Sequence, residues 1–366
     1  MGEAVIFVYE AQVGMKLADD VFLPDGSLLV KKETVLDENI ITSFSIYHIL
    51  EIKIYEDDKP INSDVLEVHE SEETTRYYDK VRESDQFKRF EEEFSETVDD
   101  VKEEFNKIVK DGSEIDADKL LAGPIKIMHE IPNNLQLLDM IHSIRMYDDL
   151  TYVHSVNVSL LSLMLGKWLS YDVETVSNLA LCGILHDIGK LQIPKKILDK
   201  PERLTDNEYS IMRKHVNFGY ETLRDKDVDQ RVKEACLLHH ERCDGSGYPF
   251  GIKGDKIPLE AKIVAVADVY DAMTANRVYR SAICPFTVVD IMNDDAFSKF
   301  DPAIAIPFLR NIVACYVHND VRLSDGRVGK VILINENRLS RPSVLVDHEL
   351  IDLDKNRDLE ITALIN

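Results

Sequence analysis

Two carboxylates stand where a carboxylate is costly. Asp187 lies in the stretch Leu181–Ile188, and Asp268 interrupts the run Ile263, Val264, Ala265, Val266 and Ala267, which reads as buried on nearly every side. An ionised carboxylate in an apolar interior needs a cation or hydrogen-bond partners beside it. Five of the eleven histidines, His154, His186, His215, His239 and His240, fall in the same region of the chain. His186 directly precedes Asp187, the tandem His239-His240 follows the apolar Ala235–Leu238, and His154 sits among Val153, Val156, Val158 and Leu160. Any one of these histidines alone is more simply a satisfied core residue. Taken together they form a donor series.

Imidazole and carboxylate donors without a thiolate suit iron, manganese, zinc or nickel. Seven donors exceed what one ion needs. A carboxylate can bridge two cations, so Asp187 is the natural bridge of a two-metal centre. One site would take His154, His186, Asp187 and Asp268, and the other Asp187, His215, His239 and His240. Two ions about 3.5–4 Å apart can activate a water between them, orient it in line and neutralise a phosphate oxygen, which is the chemistry of phosphodiester hydrolysis.

Composition narrows the setting. The 366 residues are 45% hydrophobic and 30% charged, a globular balance for two or three domains. The apolar stretch Leu160–Leu169 contains Lys167 and falls short of the roughly 18 residues of a membrane span. Met1–Tyr9 lacks the basic and apolar regions of a signal peptide, so no membrane association and a cytoplasmic location are expected. Cys182, Cys236, Cys243, Cys284 and Cys315 contain no Cys-x-x-Cys pair and read as small buried hydrophobes. A net charge of −24 argues against DNA or anionic lipid as the partner, and a phosphate-bearing ligand would need a local cationic pocket.

Residues 1–60 read as a small α/β domain, with strands at Ala4–Tyr9, Val21–Leu23 and Leu28–Val30. Residues 61–118 read as an acidic helical linker, in which Phe87, Phe90, Phe94, Val98, Val101, Phe105 and Ile108 recur at helical spacing. That stripe would pack on a neighbouring domain or on a second copy, giving a homodimer through the helix at 85–110. Residues 119–312 are helix-rich, with breaks expected at Gly123-Pro124, Lys200-Pro201, the Asp244–Gly254 loop and Cys284-Pro285. Residues 313–366 switch to short alternating runs with a hairpin turn at Ser324-Asp325-Gly326, a small β module.

An ordered series of motifs spans about 190 residues, from near Leu120 to near Phe308. It comprises His186-Asp187-Ile188-Gly189-Lys190, then His215, His239-His240-Glu241, Asp244-Gly245-Ser246-Gly247-Tyr248-Pro249, Asp268-Val269-Tyr270-Asp271-Ala272 and Arg277-Val278-Tyr279-Arg280. This series resembles the HD-GYP subgroup of the HD phosphohydrolase superfamily. The resemblance implies a mainly α fold: a helical HD-type metallohydrolase domain, flanked here by the small α/β domain and the β module. It also implies a bi- or trinuclear centre, with iron or manganese expected, and cleavage of cyclic di-GMP to linear pGpG or onward to GMP.

Beside the ligands, Lys190 lies four residues after His186 and could reach a phosphate oxygen or the leaving group. The bland reading is a surface lysine, but the family places a phosphate-contacting lysine there. Arg277 and Arg280 suit bidentate phosphate or guanine recognition, against surface salt bridging. Tyr248, presented by a loop that Gly245 and Gly247 permit, and Asp271 are counted among the substrate contacts. The Gly-Tyr-Pro stretch is also linked in the family to binding a signalling protein. Cys243 stands where the family usually has tryptophan, and Val278 where it has proline.

Trinuclear members carry a glutamate four residues before the first histidine. Here that position is Leu150, read as a core residue, and Asp148 and Asp149 are turned away from His154, so two ions are expected. The competing readings are a catalytically weak cyclic di-GMP receptor and a hydrolase of another cyclic dinucleotide or of a guanosine polyphosphate.

Overall fold

The computed structural model describes residues 3–7, 11, 13–22, 28–37, 40–41, 43–44, 49, 51–55, 72–144, 150–200, 204–274 and 283–365. The chain forms two compact units, one of residues 1–70 and 201–205 and one of residues 71–200 and 206–366. The first holds strands β1 (Glu3–Phe7), β2 (Val21–Phe22), β3 (Leu28–Val30) and β4 (Glu51–Tyr55). β1 pairs antiparallel with β4, Ile6 opposite Ile52, and β2 pairs with β3. Leu17, Leu36, Phe44, Ile52 and Ile54 are its buried core.

The second unit opens with helices α1 (Glu72–Glu83), α2 (Asp85–Asn106), α3 (Ala117–Glu130) and α4 (Asn134–Ser143). Ser84 caps α2, its hydroxyl accepting from Phe87 N at 3.0 Å. The phenylalanine stripe of α2 is buried, and its rings follow one another at 5.9 and 5.4 Å from Phe87 through Phe90 to Phe94. The chain itself covers the face, since α2 packs on α3 and on α5 (Leu150–Trp168). A homodimer through the 85–110 helix therefore lacks the apolar surface it would need.

Gly123 and Pro124 do not break a helix as their sequence suggests; both lie inside α3. A Cβ on Gly123 would sit 2.2 Å from Thr97 Oγ1, so the glycine serves the close crossing of α3 over α2. The proline forgoes one backbone bond while its ring is buried.

Next come α6 (Val173–Leu185), α7 (Lys195–Leu198), α8 (Asp206–Met212), α9 (His215–Leu223), α10 (Gln230–Leu238), α11 (Leu259–Thr274), α12 (Pro285–Asp295) and α13 (Pro302–Cys315). Helices α5, α6 and α11 pack on one another, and α5 is buried continuously from Ser155 to Gly166, its serines and Asn157 included. Leu150, read from sequence as a core residue, instead opens α5 at the surface and is 52% exposed.

The chain closes with β5 (Asp320–Leu323), β6 (Val328–Leu333), β7 (Ser343–Val346), β8 (Glu349–Asp352) and β9 (Ile361–Leu364), an antiparallel sheet of order β8-β7-β6-β5-β9. Gly326 takes φ 87° in the β5–β6 turn. Arg322 of β5 pairs with Glu73 of α1, and Leu364 N donates to the buried Thr74 Oγ1 at 3.2 Å, so the sheet is tied to the first helix. Among the described residues no helix is long and apolar enough to cross a membrane.

Candidate metal centre

Helix α6 starts on Asp172, whose carboxylate caps Thr175 N at 2.9 Å, and ends at His186. A Cβ on Gly183 would lie 2.8 Å from the Ser159 backbone, so α6 approaches α5 closely, and the His154 and His186 rings come to 5.1 Å. Asp187 then starts a short 3-10 turn, Ile188–Gln192. Gly189 in that turn presses on α9: a Cβ there would stand 2.0 Å from the His215 carbonyl oxygen and 2.4 Å from Gly219 N. His239 and His240 follow the end of α10, and Asp268 comes from the middle of α11.

The fold brings all seven sequence-derived donors together, in two groups whose donor atoms lie within 4.8 Å of one another: Asp187, His215, His239 and His240, and His154, His186 and Asp268. Asp187 stands between them. Its Oδ2 is 3.5 Å from His154 Nε2 and 3.1 Å from His186 Nε2, while its Oδ1 is 3.3 Å from His215 Nε2 and 3.9 Å from His239 Nε2. His154 Nε2 also lies 3.0 Å from Asp268 Oδ1, and His240 Nδ1 is 3.8 Å from Asp268 Oδ2.

The other ring nitrogens fix the tautomers. His186 Nδ1 meets Gly183 O at 2.7 Å, His215 Nδ1 meets Met212 O at 2.7 Å and His239 Nδ1 meets Cys236 O at 3.0 Å. A carbonyl only accepts, so each Nδ1 carries the hydrogen and, in the neutral ring, each Nε2 presents a lone pair to Asp187. Those three Nε2 atoms and Asp187 Oδ1 are buried with no hydrogen-bond partner among the described residues. Lone pairs converging at these distances repel unless positive charge sits among them, so the donor set fits divalent cations.

The ionisation tendencies of His215, His239 and His240 agree. Burial pushes the imidazolium forms of His215 down to about 4 and of His239 down to about 3, and that of His240 well below its ordinary value. Burial opposes charge on His154 as well, but hydrogen bonds to Asp268 and Asp271 outweigh it and raise the ring to about 10. Burial raises Asp187, yet the neighbouring His186 and Lys190 prevail and hold it well below the carboxylate range. Asp268 is likewise held low against burial by His154 and His240.

Lys190 places Nζ 2.5 Å from Asp187 Oδ2, at the centre itself. Tyr248 stacks on the His240 ring at 4.6 Å and 28°. Asp271 does not face the centre as a substrate contact would; it is buried behind His154, with Oδ2 2.7 Å from His154 Nδ1 and Oδ1 accepting from Asn157 Nδ2 at 2.9 Å. Arg277 and Arg280 lie outside the described residues, as do Asp148 and Asp149.

Two further residues support the site, and the sequence reading gave neither a role. Asn157, one turn along α5 from His154, locks Asp271. Glu241, next to His240, is buried and accepts from Phe250 N at 2.7 Å and Ile252 N at 3.0 Å, holding the Gly-Tyr-Pro loop onto the histidine pair. A buried acid one position past two candidate ligands is the signal that could have found it.

A family model described as an HD domain matches residues 139–304, which take in every donor named above. Over those residues the chain is similar to HD domains. Over 200 residues it is 39% identical to a cyclic di-GMP phosphodiesterase of Pseudomonas aeruginosa, covering 54% of this chain and 48% of that one. Over 162 residues it is 38% identical to a 3'3'-cGAMP-specific phosphodiesterase of Vibrio cholerae, covering 44% and 38%. The chain thus spans about half or less of the length of these relatives. The chain also resembles a solved HDG"Y"P protein from Bdellovibrio bacteriovorus, with a TM-score of 0.51 and 18% identity over 84% of this chain and 98% of that one, a likeness of fold.

Proposed function

We propose that the protein is a metal-dependent phosphodiesterase that opens cyclic di-GMP to linear pGpG or carries it onward to GMP. The observation that carries this reading is the two-sided environment of Asp187, one oxygen facing His154 and His186 and the other facing His215 and His239. His154, His186, Asp187 and Asp268 would hold one ion, and Asp187, His215, His239 and His240 the second, with iron or manganese suited to the nitrogen and oxygen donors. Two such ions supply a water-derived nucleophile at neutral pH and neutralise phosphoryl oxygens. The protein's own part is positional. Backbone carbonyls fix three rings through Nδ1, and Asp271 fixes His154. Lys190 would meet a nonbridging oxygen or the leaving group, Tyr248 would wall the pocket beside His240, and Arg277 and Arg280 would grip phosphate or guanine.

The substrate class rests on the relatives' names, and the cGAMP-specific ones favour a second reading in which another cyclic dinucleotide is hydrolysed by the same centre. A signalling protein docking at the Gly-Tyr-Pro loop and the division of residues 61–118, 119–312 and 313–366 into linker, catalytic domain and module belong to the same proposal. Chromatography of cyclic di-GMP incubated with metal-loaded protein tests it. Linear pGpG that disappears with a chelator is expected. Tight binding without product would make the chain a receptor, and turnover of cGAMP alone would select the second reading.

A further inference from the structure

The rim of the centre holds a cation that the motif series does not include. Arg213 follows the end of α8, and its guanidinium carbon lies 4.4 Å from the centroid of the Tyr248 ring. Tyr248 in turn stacks on His240 at 4.6 Å, so the guanidinium stands within about 9 Å of a candidate metal ligand. The Arg213 backbone is fixed by its N–H to Tyr209 O at 2.9 Å, and the side chain is half-buried.

Among the described residues no carboxylate pairs with this guanidinium, although the chain carries 67 acidic residues against 43 basic ones. Other arginines near carboxylates are paired: Arg231 with Asp229, Arg224 with Glu221, Arg310 with Glu336. Cation–π stacking orients a guanidinium over a ring face while leaving its N–H fork open to an anion.

We propose that Arg213 anchors the phosphodiester that is not being cleaved. A cyclic dinucleotide carries two phosphodiesters facing each other across one macrocycle. With one at the metal centre, the other needs a cation fixed a short way off, and in so acidic a molecule that cation must be local. Tyr248 acts here as the spacer that holds Arg213 and His240 in register. Arg213 is thus a positioning and affinity residue for a two-phosphate substrate. The inference rests on the phosphodiesterase reading above.

The test compares kcat and KM for cyclic di-GMP and for bis(p-nitrophenyl) phosphate, which has a single phosphodiester, in wild type, Arg213→Ala and Arg213→Lys. Losing a charge-assisted hydrogen bond should raise KM for cyclic di-GMP by about 10- to 100-fold in Arg213→Ala, with kcat changed much less. The loss on the one-phosphate ester should be smaller by about an order of magnitude, metal content should stay at the wild-type level, and Arg213→Lys should recover part of the affinity. Equal losses on both esters, or a fall in bound metal, would mean that Arg213 merely props Tyr248 and His240 and would overturn the proposal. An unchanged KM for cyclic di-GMP would overturn it while leaving the phosphodiesterase reading intact. Wild type that cleaves the simple ester but not cyclic di-GMP would overturn both this inference and the substrate assignment.

Discussion

His154 is held by residues that never face the metal centre. Asp271 fixes its Nδ1, and Asn157 fixes Asp271, so one ligand depends on a buried chain spanning α5 and α11. A different buried acid, Asp139 of α4, answers to no metal donor. Tyr77 Oη donates to its Oδ2 at 2.5 Å, and its Oδ1 has no hydrogen-bond partner among the described residues. Burial pushes this carboxyl up to about 7, with the Tyr77 hydrogen bond pulling the other way. Between about pH 3.8 and 7 the folded protein therefore keeps a proton that the unfolded chain releases. Stability from this group is present at low pH and is lost as pH rises through that window. Asp139→Asn removes the titration while keeping the shape. Its melting temperature relative to wild type should climb across the window, by an amount reflecting a few kcal/mol. Parallel profiles for the two proteins would show that Asp139 ionises normally.

At the scale of elements, contact between the short Ile188–Gln192 turn and α9 sets where His215 stands relative to Asp187. Gly189→Ala would drive a methyl group into the His215 carbonyl and Gly219, so α9 must move away. A ligand displaced by about 1 Å commonly costs about 10²-fold in rate. The expected result is a loss of that order in turnover and a fall in bound metal, with helical circular dichroism retained; near-normal activity would mean that α9 yields elsewhere. Most of the donors were legible in the sequence because they stand in or beside apolar runs, whereas His215 follows Arg213-Lys214 and breaks no such run. Asp271 was misread because its role depends on α5 crossing α11, which no local pattern reports. Strand β8 lacks the usual local signal of a hairpin. Its two-residue turn is Asp347-His348, both at positive φ (46° and 71°), where a hairpin usually announces itself with glycine. The stripe on α2 was read correctly as a buried face, but only the folded chain shows that α3 and α5 cover it.

The whole molecule is strongly acidic, with a net charge of −24, and the proposed doubly charged substrate would approach against that field. Lys190 at Asp187 and Arg213 at Tyr248 are two of the local cations that oppose it, and Arg242 beside His239 is a third. The acidic helices between residues 71 and 118 and the sheet after residue 313 belong to the same compact unit as the candidate metal centre. The tie from Arg322 to Glu73 joins the sheet and the first of those helices, so experiments on the centre are best made on the full chain. The central claim is that two donor sets sharing Asp187 form a two-ion catalytic centre. The direct measurement is a titration of chelator-stripped protein with manganese under nitrogen, following phosphodiester cleavage against metal equivalents, in wild type and in Asp187→Ala. The account predicts no activity in the stripped protein, a plateau at two equivalents for wild type, and neither activity nor most of the bound metal in Asp187→Ala. A plateau at one or three equivalents, or full activity in Asp187→Ala, would contradict it.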